Sequence, residues 1–157
     1  MDAKDTMIEG VAIKWLHHIP DERGYLMEML RDDDDFFEGF GQVYLTTTYP
    51  GVIKAWHYHR EQIDYLTCVS GMIKLVLFDA RPESLTYGNV TELFMGVHRP
   101  MLVKIPKLVY HGFKGIGKDM AIIINVISSP YNHLNPDEHR VPYDTATIPY
   151  QWELKHG

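Results

Sequence analysis

Hydrophobic and polar residues alternate along this chain in short bursts rather than in long helical stripes. Val11 to Leu16 alternates and stops before Pro20, and Gln42 to Thr48 is rich in β-branched and aromatic residues. Ile63 to Val69 runs through Ser70-Gly71 into Met72 to Phe78, the pattern of two strands joined by a tight turn. Thr91 to Met95, Met101 to Ile105 and Met120 to Ile127 complete the strand candidates. Glycine and proline punctuate the gaps, as at Pro50-Gly51, Pro82, Gly88, Pro100, Pro106 and Pro130. No long segment carries an apolar period of 3.6, which argues against α/β alternation. Short strands at near-regular spacing predict an all-β sandwich or barrel. The acidic run Asp32 to Asp35 predicts a solvated loop or helix start. The segment after Pro130, interrupted by Pro136, Pro142 and Pro149, predicts an irregular tail with at most one or two helical turns.

Composition narrows the function classes. A length of 157 residues fits one domain over 1–157. Such a chain buries about two thirds of its unfolded surface without needing a disulfide or structural metal. The single cysteine, Cys68, excludes an internal disulfide framework and any CxxC motif, and its apolar strand predicts a core position. A net charge of −6 argues against nucleic-acid binding driven by basic charge. No apolar run approaches the roughly 20 residues of a membrane span. The first residues lack the basic and then apolar regions of a secretory leader, so a cytoplasmic protein is expected. On that expectation the sequon at Asn89 carries no weight.

Histidines supply the candidate chemistry. The stretch Gly51 to Gly71 holds His57, His59 and Asp64, and His111 follows Pro106 further on. Two residues apart on a strand, His57 and His59 share a face. Three histidines and a carboxylate from adjacent strands suit a mononuclear metal with open positions. Gly51, His57, His59, Asp64 and Gly71 resemble the first cupin motif, with Asp64 where metal-binding cupins usually carry glutamate. The second motif is partial: Pro106 and His111 match, but Leu108 replaces its glycine and Gly115 its asparagine. The fold implied is a cupin-type double-stranded β-helix, a jelly roll, with short peripheral helices.

A narrower resemblance covers about Gly10 to Trp152. Asp21-Glu22-Arg23-Gly24-Tyr25-Leu26-Met27-Glu28, Gly51 to His59, Asp79 to Gly88, Pro106 to Phe113, and Asp144 with Trp152 follow in order. Together they resemble the dTDP-4-dehydrorhamnose 3,5-epimerase family. The resemblance implies an isomerase acting on a dTDP-4-keto-6-deoxyhexose without a cofactor. A histidine removes the proton beside the ketone, an aspartate orients it, and a tyrosine returns a proton from the opposite face. It further implies His57 as base, Asp144 as its partner, and a binding set of Arg23, Glu28, Gln42, Lys54, His59, His111 and Asp79. Homodimers are implied too, with Arg23 and Glu28 reaching the partner's pocket.

Three positions depart from the family pattern. Its enolate-stabilising lysine falls near Asp64 or Tyr65, its acid tyrosine near Asn125, and its glutamine is His59. Tyr65, Tyr44, Tyr110 and Tyr131 are substitutes for the acid, with Tyr65 the first candidate, and inversion at one carbon in preference to two is expected. Two alternatives stay open. One is a metal-dependent cupin holding a divalent ion such as Fe, Zn or Ni on His57, His59, Asp64 and His111. The other is a non-catalytic sugar-nucleotide binder.

Overall fold

The structure, a computed structural model, describes residues 7–157. In chain order the strands are β1 (Ala12–Trp15), β2 (Ile19–Asp21), β3 (Gly24–Leu26), β4 (Gln42–Thr48), β5 (Ile53–Tyr58) and β6 (Asp64–Ser70). There follow β7 (Met72–Asp79), β8 (Val90–Gly96), β9 (Met101–Ile105), β10 (Val109–Ile116), β11 (Ala121–Ile127) and β12 (His139–Arg140). One five-stranded sheet has the order β1-β9-β6-β11-β4, and a second has β12-β5-β10-β7-β8. A small β2-β3 hairpin stands apart, and the strands pair antiparallel throughout. Apart from the β2–β3 and β7–β8 pairs, sequence neighbours sit in different sheets, as the jelly roll requires.

Strand alternation decides what each face does. Along β11, Ala121, Ile123, Asn125 and Ile127 are buried, and the residues between them are half-buried. The inner faces meet in a core that includes Leu66, Ile73, Leu75, Leu77, Met95, Val103 and Ile123. Cys68 belongs to this core, where burial pushes its thiol up to about 11.

Each outer face is covered in part. Tyr65 and Leu102 of the first sheet lie under Met27, Met29, Leu30, Phe36 and Phe37. Trp56, Val76 and Phe78 of the second lie under Ile148 and Trp152. The tail after Pro130 is therefore irregular in backbone, yet it closes one side of the molecule.

The expected peripheral helices do not form among the described residues. In the acidic run the Asp34 carboxylate accepts from the Arg31 backbone at 2.8 Å and from Lys14 Nζ at 2.7 Å. Aspartates that bond locally in this way favour turns over continued helix.

Asp79, expected to bind substrate, serves the β7–β8 connection instead. Its carboxylate is fully buried and accepts from Arg81 Nε at 2.8 Å, Ser84 Oγ at 2.6 Å and Thr86 Oγ1 at 2.7 Å. Burial pushes its pKa up, but these donors hold it well below the usual carboxylate range. A depressed folded-state pKa stabilises above the unfolded value of 3.8 and loses that contribution as pH falls. Asp79→Ala should cost about 3 kcal/mol in urea unfolding at pH 7. The gap to the parent protein should narrow below about pH 4, where the parent carboxylate is protonated in the unfolded chain.

Candidate active site

At one end of the two sheets the inner faces separate and leave a cavity of about 620 Å³. Tyr44, Leu66 and Asn125 line it from the first sheet, and His57, His111 and Phe113 from the second. His57 and His111 are cross-strand partners on β5 and β10, with ring centroids 6.3 Å apart. The register shifts between His111 and Phe113, at Gly112. A Cβ on Gly112 would stand 2.3 Å from the Ala55 Cβ, so this approach needs a glycine. Alternation along β5 buries Trp56 in the outer cluster and leaves His57 on the cavity side.

The loop after β5 is fastened by Asp137. Its carboxylate accepts from the backbone N–H groups of Arg60 at 2.8 Å, Glu61 at 2.8 Å and Gln62 at 2.9 Å. Its own carbonyl meets His59 Nδ1 at 2.5 Å. On the other side the Leu108 N–H donates to the His59 carbonyl at 2.7 Å. Leu108 has φ of 65°, so the position where the cupin motif carries glycine keeps a left-handed conformation even with leucine in it.

This fastening brings His59, Asp64 and His111 together, all buried. Asp64 Oδ2 lies 3.1 Å from His59 Nε2 and 3.2 Å from His111 Nε2. Its Oδ1 accepts from Gln62 Nε2 at 2.7 Å. Burial pushes the Asp64 pKa up, but the two imidazoles hold it far below the usual range. Burial lowers the His59 pKa, and pairing with Asp64 outweighs that and raises it overall.

His57 stands apart from this group. Its Nδ1 lies 3.3 Å from Glu138 Oε1, close but not aligned as a hydrogen bond. Burial and the neighbouring His111 pull its pKa down to about 4 against the opposing charge of Glu138. Across the cavity the Tyr44 hydroxyl accepts from Asn125 Nδ2 at 2.9 Å. Burial and the Asp64 charge push the Tyr44 pKa up to about 12, so the phenol keeps its proton. Lys54 Nζ reaches across to Thr46 Oγ1 at 3.2 Å and the Thr47 carbonyl at 2.6 Å.

The sequence-predicted residues divide accordingly. His57, His59, His111 and Lys54 line the cavity. Gln42 acts at one remove, its Oε1 accepting from the backbone of Tyr131, a lining residue, at 2.8 Å. Two assignments are corrected. Asp144 is exposed in the tail that packs outside β5, and the carboxylate beside His57 is Glu138. Tyr65 points to the outer face, where its hydroxyl accepts from the Glu38 N–H at 2.7 Å and its ring stacks on Phe37. A strand puts adjacent residues on opposite faces, so Asp64 and Leu66 inside require Tyr65 outside. Arg23 and Glu28 are exposed and pair locally with Asp21 and Arg31. Sequence reading missed Asp137 and Glu138. The only signal was two acids beside His139 in a proline-rich tail.

Comparison with known proteins follows the same lines. The family model for dTDP-4-dehydrorhamnose 3,5-epimerase matches residues 5–156. The chain is 42% identical to spore coat polysaccharide biosynthesis protein SpsL of Bacillus subtilis (strain 168), over 95% of this chain and 99% of the relative. It is 39% identical to a probable low-salt glycan biosynthesis epimerase of Haloferax volcanii, over 96% of this chain and 98% of that one. Among solved structures, a dTDP sugar isomerase from Desulfovibrio desulfuricans G20 superposes with a TM-score of 0.87 at 32% identity, covering 92% of each chain.

The tight contact at Gly112 generates a test of this architecture. Gly112→Ala should lower stability by about 2–3 kcal/mol, since the neighbouring backbone of β5 cannot yield cheaply. Chemical denaturation measures that loss, and the NMR shifts of His57 and His111 should move with it.

Proposed function

The chain belongs to the dTDP-4-dehydrorhamnose 3,5-epimerase family, and we propose that it epimerises a dTDP-linked 4-keto-6-deoxyhexose. The observation that carries the reading is His57 and Tyr44 on opposing walls of one cavity. His57 Nε2 takes the proton from a carbon beside the ketone, and the electron pair passes to the keto oxygen. With its pKa down near 4, the imidazole is neutral and ready as a base at physiological pH. Glu138 orients the ring and stabilises the imidazolium once it forms.

Inversion needs a donor on the far face. Tyr44 supplies it: its hydroxyl is held by the amide of Asn125, the residue standing where the family pattern has tyrosine. The phenol's proton goes to the enolate carbon as the keto group re-forms, and solvent then returns His57 and Tyr44 to their starting states. Hydrogen-bond donors must meet the oxygen where negative charge gathers, and Lys54 is the cavity group for that role. The proton transfers themselves need no cofactor. One fixed donor serves one ring position best, which favours inversion at one carbon over two.

The partner is thus a nucleotide-diphosphate sugar. Arg23 and Glu28 lie on exposed segments away from their own cavity, which supports a homodimer in which they reach the partner's site. No helix among the described residues is long and apolar enough to cross a membrane, and a cytoplasmic location is part of this reading.

Incubation with dTDP-4-keto-6-deoxyglucose in heavy water, followed by NMR, tests the assignment. The parent protein should incorporate deuterium and invert at one carbon ahead of the other. His57→Asn should lose both exchange and inversion by about 10²–10⁴-fold. Tyr44→Phe should retain exchange and lose inversion by about 10²-fold or more. Equal inversion at both carbons would refute the one-carbon assignment, and unchanged inversion in Tyr44→Phe would remove Tyr44 as the acid.

A further inference from the structure

We propose that Asn125 decides which carbon is inverted, a specificity that rests on the epimerase reading: its side-chain oxygen accepts the 2-hydroxyl of the bound sugar and so sets C3, not C5, between His57 and Tyr44. Strand alternation turns Asn125 inward with Ile123 and Ile127, and it lines the cavity while only 2% exposed. Its cross-strand partners are Tyr44 on β4 and Leu66 on β6, both lining residues. The amide nitrogen is committed, since Nδ2 donates to the Tyr44 hydroxyl at 2.9 Å. The amide oxygen is buried and has no hydrogen-bond partner among the described residues. Leu66, on the side away from Tyr44, has no side-chain donor to give it. An unmet buried acceptor costs free energy that a hydroxyl of the substrate recovers.

The chemistry of the sugar decides what can meet that oxygen. Asn125 stands beside the acid, so its oxygen is within reach of the carbon that Tyr44 protonates and of that carbon's neighbours. A 4-keto-6-deoxyhexose has two carbons beside the ketone. C5 carries a methyl group and is bonded to the ring oxygen, and neither offers an O–H. C3 carries a hydroxyl, and so does its neighbour C2. The keto oxygen is an acceptor, as is the enolate oxygen it becomes, and the amide oxygen repels both. Only the C3 side therefore supplies a donor. The 3-hydroxyl changes direction when C3 inverts, whereas the 2-hydroxyl keeps its place. The 2-hydroxyl is thus the anchor that holds through the reaction. The C3 proton passes to His57 and the electron pair to the oxygen on C4. The Tyr44 proton then reaches C3 from the opposite face as the C=O bond re-forms.

The experiment uses the full chain in heavy water and follows each sugar proton by NMR. The substrates are dTDP-4-keto-6-deoxyglucose and its 2-deoxy counterpart. With the first, the parent protein should exchange and invert at C3 at least ~10-fold faster than at C5. Loss of the 2-hydroxyl should lower kcat/KM for inversion at C3 by about 10–100-fold. Asn125→Ala should treat the two sugars within about 3-fold of each other, and its preference for C3 over C5 should shrink by about 10-fold. If Asn125→Ala fails to fold, the response of the parent protein to the two sugars decides the matter by itself. Three results would overturn the role of Asn125 and leave the epimerase reading standing. They are inversion at C5 ahead of C3, equal rates with the two sugars, and a folded Asn125→Ala that discriminates as the parent does. No deuterium at either carbon would remove the epimerase reading and the role of Asn125 with it.

Discussion

A carboxylate held almost completely out of water is the constraint around which this protein is arranged. Removing one ionised carboxylate from solvent costs several kcal/mol unless partners replace the lost hydration. For Asp64 those partners are Gln62, His59 and His111, drawn from a loop and a different sheet. The two loop partners are fastened by Asp137, which gathers three backbone N–H groups of the loop and meets the far side of the His59 ring, while His111 is held by the β10 ladder. The proline-rich tail therefore has two tasks. It pins the polar centre at 137–140, and its later residues cover the outer face behind Trp56.

The two sheets divide the chemistry between them. β5 and β10 carry His57 and His111 as cross-strand partners, and β4 and β11 carry Tyr44 and Asn125 as another such pair. The sheets face each other, so a ring bound between them has an imidazole on one side and a phenol on the other. Both pairs stand on paired strands rather than on loops, and their geometry is inherited from the ladder of backbone hydrogen bonds.

Departures from the family pattern become coherent in this frame. Asn125 has lost the phenol, but the neighbouring strand presents Tyr44 to its amide. On the proposed reading the acid function moves by one strand, and the displaced position keeps a share in holding the Tyr44 hydroxyl. Asp64 reverses the charge at the lysine position, and His59 and His111 converge on that reversed charge. Substitutions that look like losses in a linear comparison are compensated by residues far away in sequence.

The sequence by itself determined the class of fold, the main strands and the cavity histidines. Those features are local. Period-two alternation, glycine and proline punctuation, and the spacing of His57 and His59 all reside within a few residues. Even the left-handed turn at Leu108 lay where a motif glycine was missing. Only the tertiary structure decided which carboxylate serves His57, which tyrosine faces it, and what Asp79 does. Glu138 and Asp144 are six positions apart in one irregular tail, and which of them reaches the cavity depends on how that tail crosses the sheet. Tyr65 and Tyr44 are both strand tyrosines, and the choice between them is one of facing, set by register against β11. Long-range pairing fixes those relations, and no local pattern encodes them, because the partners are separated by tens of residues and meet only when the two sheets close.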